Sequence, residues 1–181
     1  MDKKLLCIDM DDVIFVGGFH KLICTYLNKE LDINGKSFYL QDYLDDKDAF
    51  FKFFFTKNLY DYCNIPDNCC EVMEKLNDLY RLRILTAYLF KGYERESSRL
   101  LVDKHNALLD NFPFLKAQQF IFADDKSVVN SDIMIDDKLS NMSNAKRKLL
   151  YTAYHNKNVT SDNSFERVDN WKEIGKKLIL K

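Results

Sequence analysis

The run Leu5-Leu6-Cys7-Ile8-Asp9-Met10-Asp11-Asp12-Val13 decides the fold. A short apolar run ends abruptly in two carboxylates with one residue between them. Apolar runs of this length, bounded by polar residues, read as buried strands. In parallel sheets, ligand chemistry collects at the carboxyl ends of strands. Two acids delivered there suggest a site for a hard cation and a phosphate, provided that partners arrive later in the chain.

Working outward, five runs read as strands: 4–8, 82–85, 119–122, 132–135 and 149–152. They are continuous rather than alternating, which suits strands buried on both faces of a parallel sheet. Helix-like stretches cover 92–109, 137–147 and 170–180. Strands alternating with helices imply a layered α/β fold. The interval 16–79 breaks that rhythm. It reads as helices over 19–31 and 46–55, followed by a third helix capped by Asp67 and running to about Tyr80. The expected organisation is a core of 1–15 and 80–181 with a small helical cap, 16–79, inserted after the first strand. Gly17-Gly18 at its entrance reads equally well as a hinge or as an ordinary turn.

The chain has 181 residues, 46% hydrophobic and 30% charged, which is enough for one domain with a real core. Its net charge of −1 supplies no global field for nucleic acid or anionic membranes, so any anion site is local. No apolar run approaches the roughly 20 residues of a membrane span, and the N-terminus lacks signal-peptide features. The expected location is cytoplasmic. Cys7, Cys24, Cys63, Cys69 and Cys70 show no CxxC spacing and read as reduced thiols rather than zinc ligands. His20, His105 and His155 stand far apart and read as ordinary surface or satisfied histidines.

Three later strand ends carry chemistry. Leu85-Thr86-Ala87 offers a hydroxyl and a backbone N–H that can converge on a phosphate oxygen. Ala123-Asp124-Asp125-Lys126 offers a point cation. Ile133-Met134-Ile135-Asp136-Asp137 ends another apolar strand in adjacent acids, whose mutual repulsion wants a cation. The threonine and the lysine are weak signals alone, and the acidic pair is a stronger one. DxD, Thr, Lys and DD in that order, each at a strand end, resemble the haloacid dehalogenase superfamily of phosphotransferases over nearly the whole core. A closer resemblance lies in Phe122-Ala-Asp-Asp-Lys126-Ser-Val-Val-Asn-Ser-Asp132-Ile-Met-Ile-Asp136-Asp137-Lys, which is similar to the 5′(3′)-deoxyribonucleotidase family. The tail agrees in His155-Asn156-Lys157 and in Asp169-Asn170-Trp171-Lys-Glu-Ile174. The departures are Asp12, where the family usually has glycine, Gly17-Gly18 near its aromatic base contact, and Ile65-Pro66-Asp67-Asn68 in place of a Pro-Gly turn.

The resemblance implies a three-layer Rossmann-like α/β core around a central five-stranded parallel sheet, with the helical cap after the first strand. It implies a Mg²⁺-dependent phosphatase working through an aspartyl-phosphate. Asp9 would be nucleophile and metal ligand. Asp11 would be general acid and then base, giving the metal only its backbone carbonyl. Asp137 would be the direct second ligand, with Asp136 acting beside it or through water. Thr86, the amide of Ala87 and Lys126 would hold the phosphate. Among the cap aromatics, Phe51, Phe53, Phe54 and Phe55 read as core or as a nucleobase pocket. Tyr88, Tyr93 and Arg95 are further contact candidates. The expected substrate is a small molecule, a deoxyribonucleoside 5′(3′)-monophosphate, with a sugar phosphate or other metabolite as the alternative. No nucleic-acid or membrane partner is expected, and a homodimer is compatible with the sequence. A phospho-accepting receiver domain fits less well, because its acidic pair would open the chain. A non-catalytic interaction protein is disfavoured by the complete motif set.

Overall fold

Among the described residues, six strands build the molecule's centre: β1 (Leu5–Ile8), β2 (Arg81–Thr86), β3 (Phe120–Phe122), β4 (Ser131–Asp136), β5 (Ala145–Tyr151) and β6 (Glu166–Val168). The computed structural model describes residues 2–160 and 162–180. The strands pair in the order β3-β2-β1-β4-β5-β6, all parallel. Leu6 lies beside Leu82 on one side and Ile133 on the other.

Alternation along each strand divides the core. Leu6, Ile8, Leu82, Ile84, Ile133, Ile135 and Leu149 join the main cluster with the helices. Cys7, Leu85, Met134 and Leu150 face a smaller cluster with Met142 and Phe165. Both faces are buried, which explains why the strands read as unbroken apolar runs. The second face is covered thinly, by 3₁₀ turns at Lys126–Val128 and Leu139–Met142 and by the segment around Phe165.

The sheet has one more strand than the five expected. β6 escaped notice because it is three residues long and begins with two charges, Glu166 and Arg167. It is an edge strand, where charged residues guard against unwanted pairing. The helix expected over 137–147 is also corrected. That stretch forms a single 3₁₀ turn and then enters β5 at Ala145. Asn141 and Asn144 spend their side chains elsewhere, on the Asp136 carboxylate and on the Ser127 carbonyl, where a continuous helix would not place them.

Between β1 and β2 lie α1 (Gly18–Leu27), α2 (Lys47–Phe54) and α3 (Cys69–Leu79). Asp46 caps α2 by accepting from the Ala49 N–H at 2.9 Å. Asp67 does not cap α3. The N-cap is Asn68, in the left-handed region at φ 63°. Gly17 precedes α1 with φ 77°, and a Cβ on Gly18 would lie 2.3 Å from Cys63 Sγ. The pair therefore makes a tightly packed turn, with Gly18 required by close approach. α3 packs against the C-terminal helix α5 (Trp171–Leu178), where Val72 lies over Gly175. α4 (Ser97–Asn111) connects β2 to β3. Among the described residues, no helix is long and apolar enough to cross a membrane.

Candidate active site

The strand order reverses between β1 and β4, and a crevice opens there at the carboxyl ends. β1 releases the chain at Asp9, whose N–H donates to the Ile135 carbonyl of β4 at 2.9 Å. β4 ends one residue before Asp137. Carboxylate oxygens of Asp9, Asp136 and Asp137 lie within 4.8 Å of one another, and all three residues are buried.

Lys126 sits among these acids. Its Nζ is 2.6 Å from Asp9 Oδ1 and 2.9 Å from Asp136 Oδ2. Burial pulls Lys126 down, but the charges of Asp9 and Asp136 outweigh it and hold it above the usual lysine range. Burial above all pushes Asp9 up to about 7, with the neighbouring acids adding to it against the pull of Lys126. Asp136 is likewise raised by burial, to about 6. Three buried carboxylates against one lysine leave negative charge unanswered. An all-oxygen donor set of this kind suits a hard divalent cation.

The structure brings most of the expected residues together. Asp9, Asp11, Ala87, Lys126 and Asp137 all line one cavity of about 1140 Å³. Thr86 and Asp136 are fully buried just behind its wall. The Asp136 carboxylate accepts from Lys126, the Lys138 N–H and Asn141 Nδ2. Asp124 is exposed at the cavity rim, and Asp125 caps the turn holding Lys126 by accepting from the Ser127 N–H.

Side chains that were not foreseen also hold the site residues. Lys104, projecting from α4 and fully buried, pairs with Asp11 Oδ2 and donates to Thr86 Oγ1 at 2.9 Å. Tyr60 donates its hydroxyl to Asp11 Oδ1 at 2.9 Å. His155 is not an ordinary surface histidine, because its Nε2 lies 2.7 Å from Asp137 Oδ2. The only sequence signal for Lys104 was a lysine on the otherwise apolar face of α4, four residues after Leu100. Nothing local marked Tyr60.

The tail elements now have mechanical explanations. Asn156 Nδ2 donates to the carbonyls of Asp137 (2.8 Å) and Tyr151 (2.7 Å), and its Oδ1 accepts from the Ala153 N–H. Arg167 reaches the other side of Asn156 and the carbonyl of Val159. Trp171, fully buried, donates its indole N–H to the Val13 carbonyl at 3.0 Å. The tail therefore braces both acidic strand ends. Asp12 adopts φ 55° and accepts from the Gly17 N–H. This is a left-handed position where glycine costs nothing.

The cap aromatics mostly form core. Phe50, Phe51 and Phe54 are buried and pack with Phe19 and Phe90. Of the four phenylalanines from 51 to 55, only Phe51 lines the cavity. Tyr88 and Tyr93 line it too, whereas Arg95 does not. The unforeseen Phe38, Tyr39 and Tyr154 complete the wall.

The family described as 5′ nucleotidase, deoxy (pyrimidine), cytosolic type C protein matches residues 3–181. A 5′(3′)-deoxyribonucleotidase of Bacillus subtilis is 28% identical over 98% of this chain and 99% of its own length. One from Clostridium acetobutylicum is 36% identical over 56% of this chain, a match spanning 51% of that protein. A haloacid dehalogenase-like hydrolase from Burkholderia xenovorans shares the fold, with TM-score 0.54 over 97% of this chain and 96% of that one, at 10% identity. With the family's pattern running from the first strand to the last helix, the chain belongs to the 5′ nucleotidase, deoxy (pyrimidine), cytosolic type C family of phosphoric monoester hydrolases.

Proposed function

We propose that the protein hydrolyses deoxyribonucleoside 5′(3′)-monophosphates to nucleoside and phosphate through an aspartyl-phosphate. The observation that carries this reading is the meeting of Asp9, Lys126 and the Asp136-Asp137 pair at the sheet's switch point, at the floor of a cavity walled by aromatic side chains. Phe38, Tyr39, Tyr88 and Tyr154 offer flat apolar surface for a base, which a bare sugar phosphate would not need. The B. subtilis relative, matched along its length, carries the corresponding name.

In this reading Asp9 attacks phosphorus with a carboxylate oxygen, and the bond to the ester oxygen breaks. Asp11 protonates the departing ribose oxygen. Asp11 then takes a proton from water as that water attacks the phosphorus, releasing phosphate and restoring Asp9. Lys104 and Tyr60 hold Asp11 in one orientation meanwhile. Lys126 offsets charge on the transferring group, and the Ala87 amide and Thr86 orient it. The oxygen donors fit Mg²⁺, which Asp9, Asp137 and the Asp11 carbonyl would hold, with Asp136 behind them. When bound it would neutralise phosphoryl charge. His155 and Asn156 keep Asp137 in place for it. Within the segment 16–79, α1 and α2 serve as the cap, whereas α3 joins the core of 1–15 and 80–181 by packing on α5 and β2, in what is a cytoplasmic enzyme in this reading.

The test is phosphate release with Mg²⁺ from dUMP, dTMP, UMP and a set of sugar phosphates. Nucleotides should be preferred, and Asp9→Asn should abolish turnover. A fully active Asp9→Asn enzyme would refute the mechanism, and preference for a sugar phosphate would refute the substrate.

A further inference from the structure

A second cluster of ligand-type side chains lies on α1, outside the acidic crevice. His20 and Cys24 stand four residues apart on one face of the helix, so their side chains are neighbours. Asn28, left-handed at φ 51°, ends the helix, and the Lys29 N–H bonds back to the Cys24 carbonyl. The chain thus folds back and brings Glu30 and Leu31 over the same face. His20 Nε2 is 3.4 Å from Cys24 Sγ, and Cys24 Sγ is 3.7 Å from Glu30 Oε2. All three donor atoms lie within 4.8 Å of one another. The Leu31 carbonyl is 2.7 Å from His20 Nε2, and the Leu31 N–H donates to Cys24 Sγ.

The two separations from Cys24 Sγ match a tetrahedral metal site. Bonds of about 2.3 Å to sulfur and about 2.0 Å to nitrogen or oxygen, at tetrahedral angles, put neighbouring donors about 3.5 Å apart. We propose that His20, Cys24 and Glu30 bind a zinc-class divalent cation that ties α1 to the returning segment 28–31. The donor set separates this site from the crevice. Thiolate and imidazole select a borderline-soft ion, whereas the carboxylates of the crevice suit Mg²⁺. Binding shifts the His20 proton from Nε2 to Nδ1, freeing the Nε2 lone pair, and releases the Cys24 thiol proton to solvent. One thiolate and one carboxylate then balance the ion's two charges. A water or the Leu31 carbonyl fills the fourth position. The nearby Lys21 is already engaged with Asn64, and Lys29 is exposed on the rim. The site has a structural consequence, because His20 also lines the large cavity. A bound ion would fix one edge of its mouth.

Titrating the full chain with CoCl₂ tests this. One equivalent should produce a thiolate-to-cobalt absorption band, which ZnCl₂ removes by displacement and MgCl₂ does not. Cys24→Ser should lose the band. Glu30→Gln, an exposed change with no bearing on folding or on the crevice, should weaken Co²⁺ binding at least as much as the roughly 10–100-fold lost with a supporting partner. No band in the unmodified protein would overturn the proposal. So would a band that persists in Cys24→Ser, which would assign binding to another cysteine, or unchanged affinity in Glu30→Gln.

Discussion

At the residue scale, Asp12 shows how a departure from a family pattern acquires a physical meaning. The chain turns there through φ 55° to leave β1, and any side chain other than glycine carries strain in that region. The Asp12 carboxylate is half-buried in the cavity wall, and its loss of hydration together with repulsion from Asp137 raises it to about 7. Its compensation is a hydrogen bond from the Gly17 N–H, long at 3.3 Å. Asp12→Gly should therefore keep the fold and raise stability by about 1 kcal/mol, read as a higher midpoint of thermal unfolding. Lys104 supplies a second residue-scale prediction. Its one ammonium holds both Asp11 and Thr86. Lys104→Met should lower kcat far more than it raises KM. The loss should be greater for alkyl phosphates than for aryl phosphates, since a poor leaving group depends more on a well-placed acid. An equal loss for both would leave Lys104 a purely structural role.

At the element scale, α5 matters more than its eight residues suggest. Asn170 caps it by accepting from the Glu173 N–H at 3.0 Å, and Glu173 returns to the Asp169 N–H. The cap fixes where Trp171 begins, and Trp171 holds the Val13 carbonyl in the loop that follows the acidic strand end. Asn170→Ala should cost about 1 kcal/mol of stability, measurable by urea denaturation. Turnover should be largely retained if capping is all that Asn170 does. β6 belongs to the same bracing. Its Arg167 supports Asn156, and Asn156 supports Asp137. Trp171 and Asn156 look like family signatures in the sequence, and the structure makes them struts.

At the scale of the whole molecule, two groups of carboxylates pull stability in opposite directions with pH. Glu166, hydrogen-bonded to Arg147 and to Lys177, is held at about 2, below its ordinary 4.5. A depressed acid contributes stability that is complete above about pH 4.5 and is lost as pH falls toward 2. Glu166 is partly exposed, so the effect is modest. Asp9 and Asp12 are raised from 3.8 to about 7, and Asp136 to about 6. Between those two values the unfolded chain has released protons that the folded state still holds, so without a divalent cation the protein should weaken as pH rises from 3.8 to about 7 and change little above that. Unfolding midpoints measured in chelator across pH 2–9 should show both slopes. Glu166→Gln should flatten the slope between about 2 and 4.5, and Asp9→Asn the slope between 3.8 and about 7.

The sequence by itself determined the parallel sheet and the acids at its strand ends, because burial on both faces leaves an unbroken apolar run and an abrupt polar stop. It reached Asp9, Asp11, Lys126 and Asp137 because each stands at such a stop. It misread 137–147 as helix and passed over β6, where short segments owe their form to partners far along the chain. Tertiary structure alone decided that Lys104, 93 residues from Asp11, would be its partner, and that His155 would turn toward Asp137. It also decided that His20, Cys24 and Glu30 would share one face. Local pattern records what a residue does to its own backbone. Which side chains meet across a crevice is set by how the layers pack.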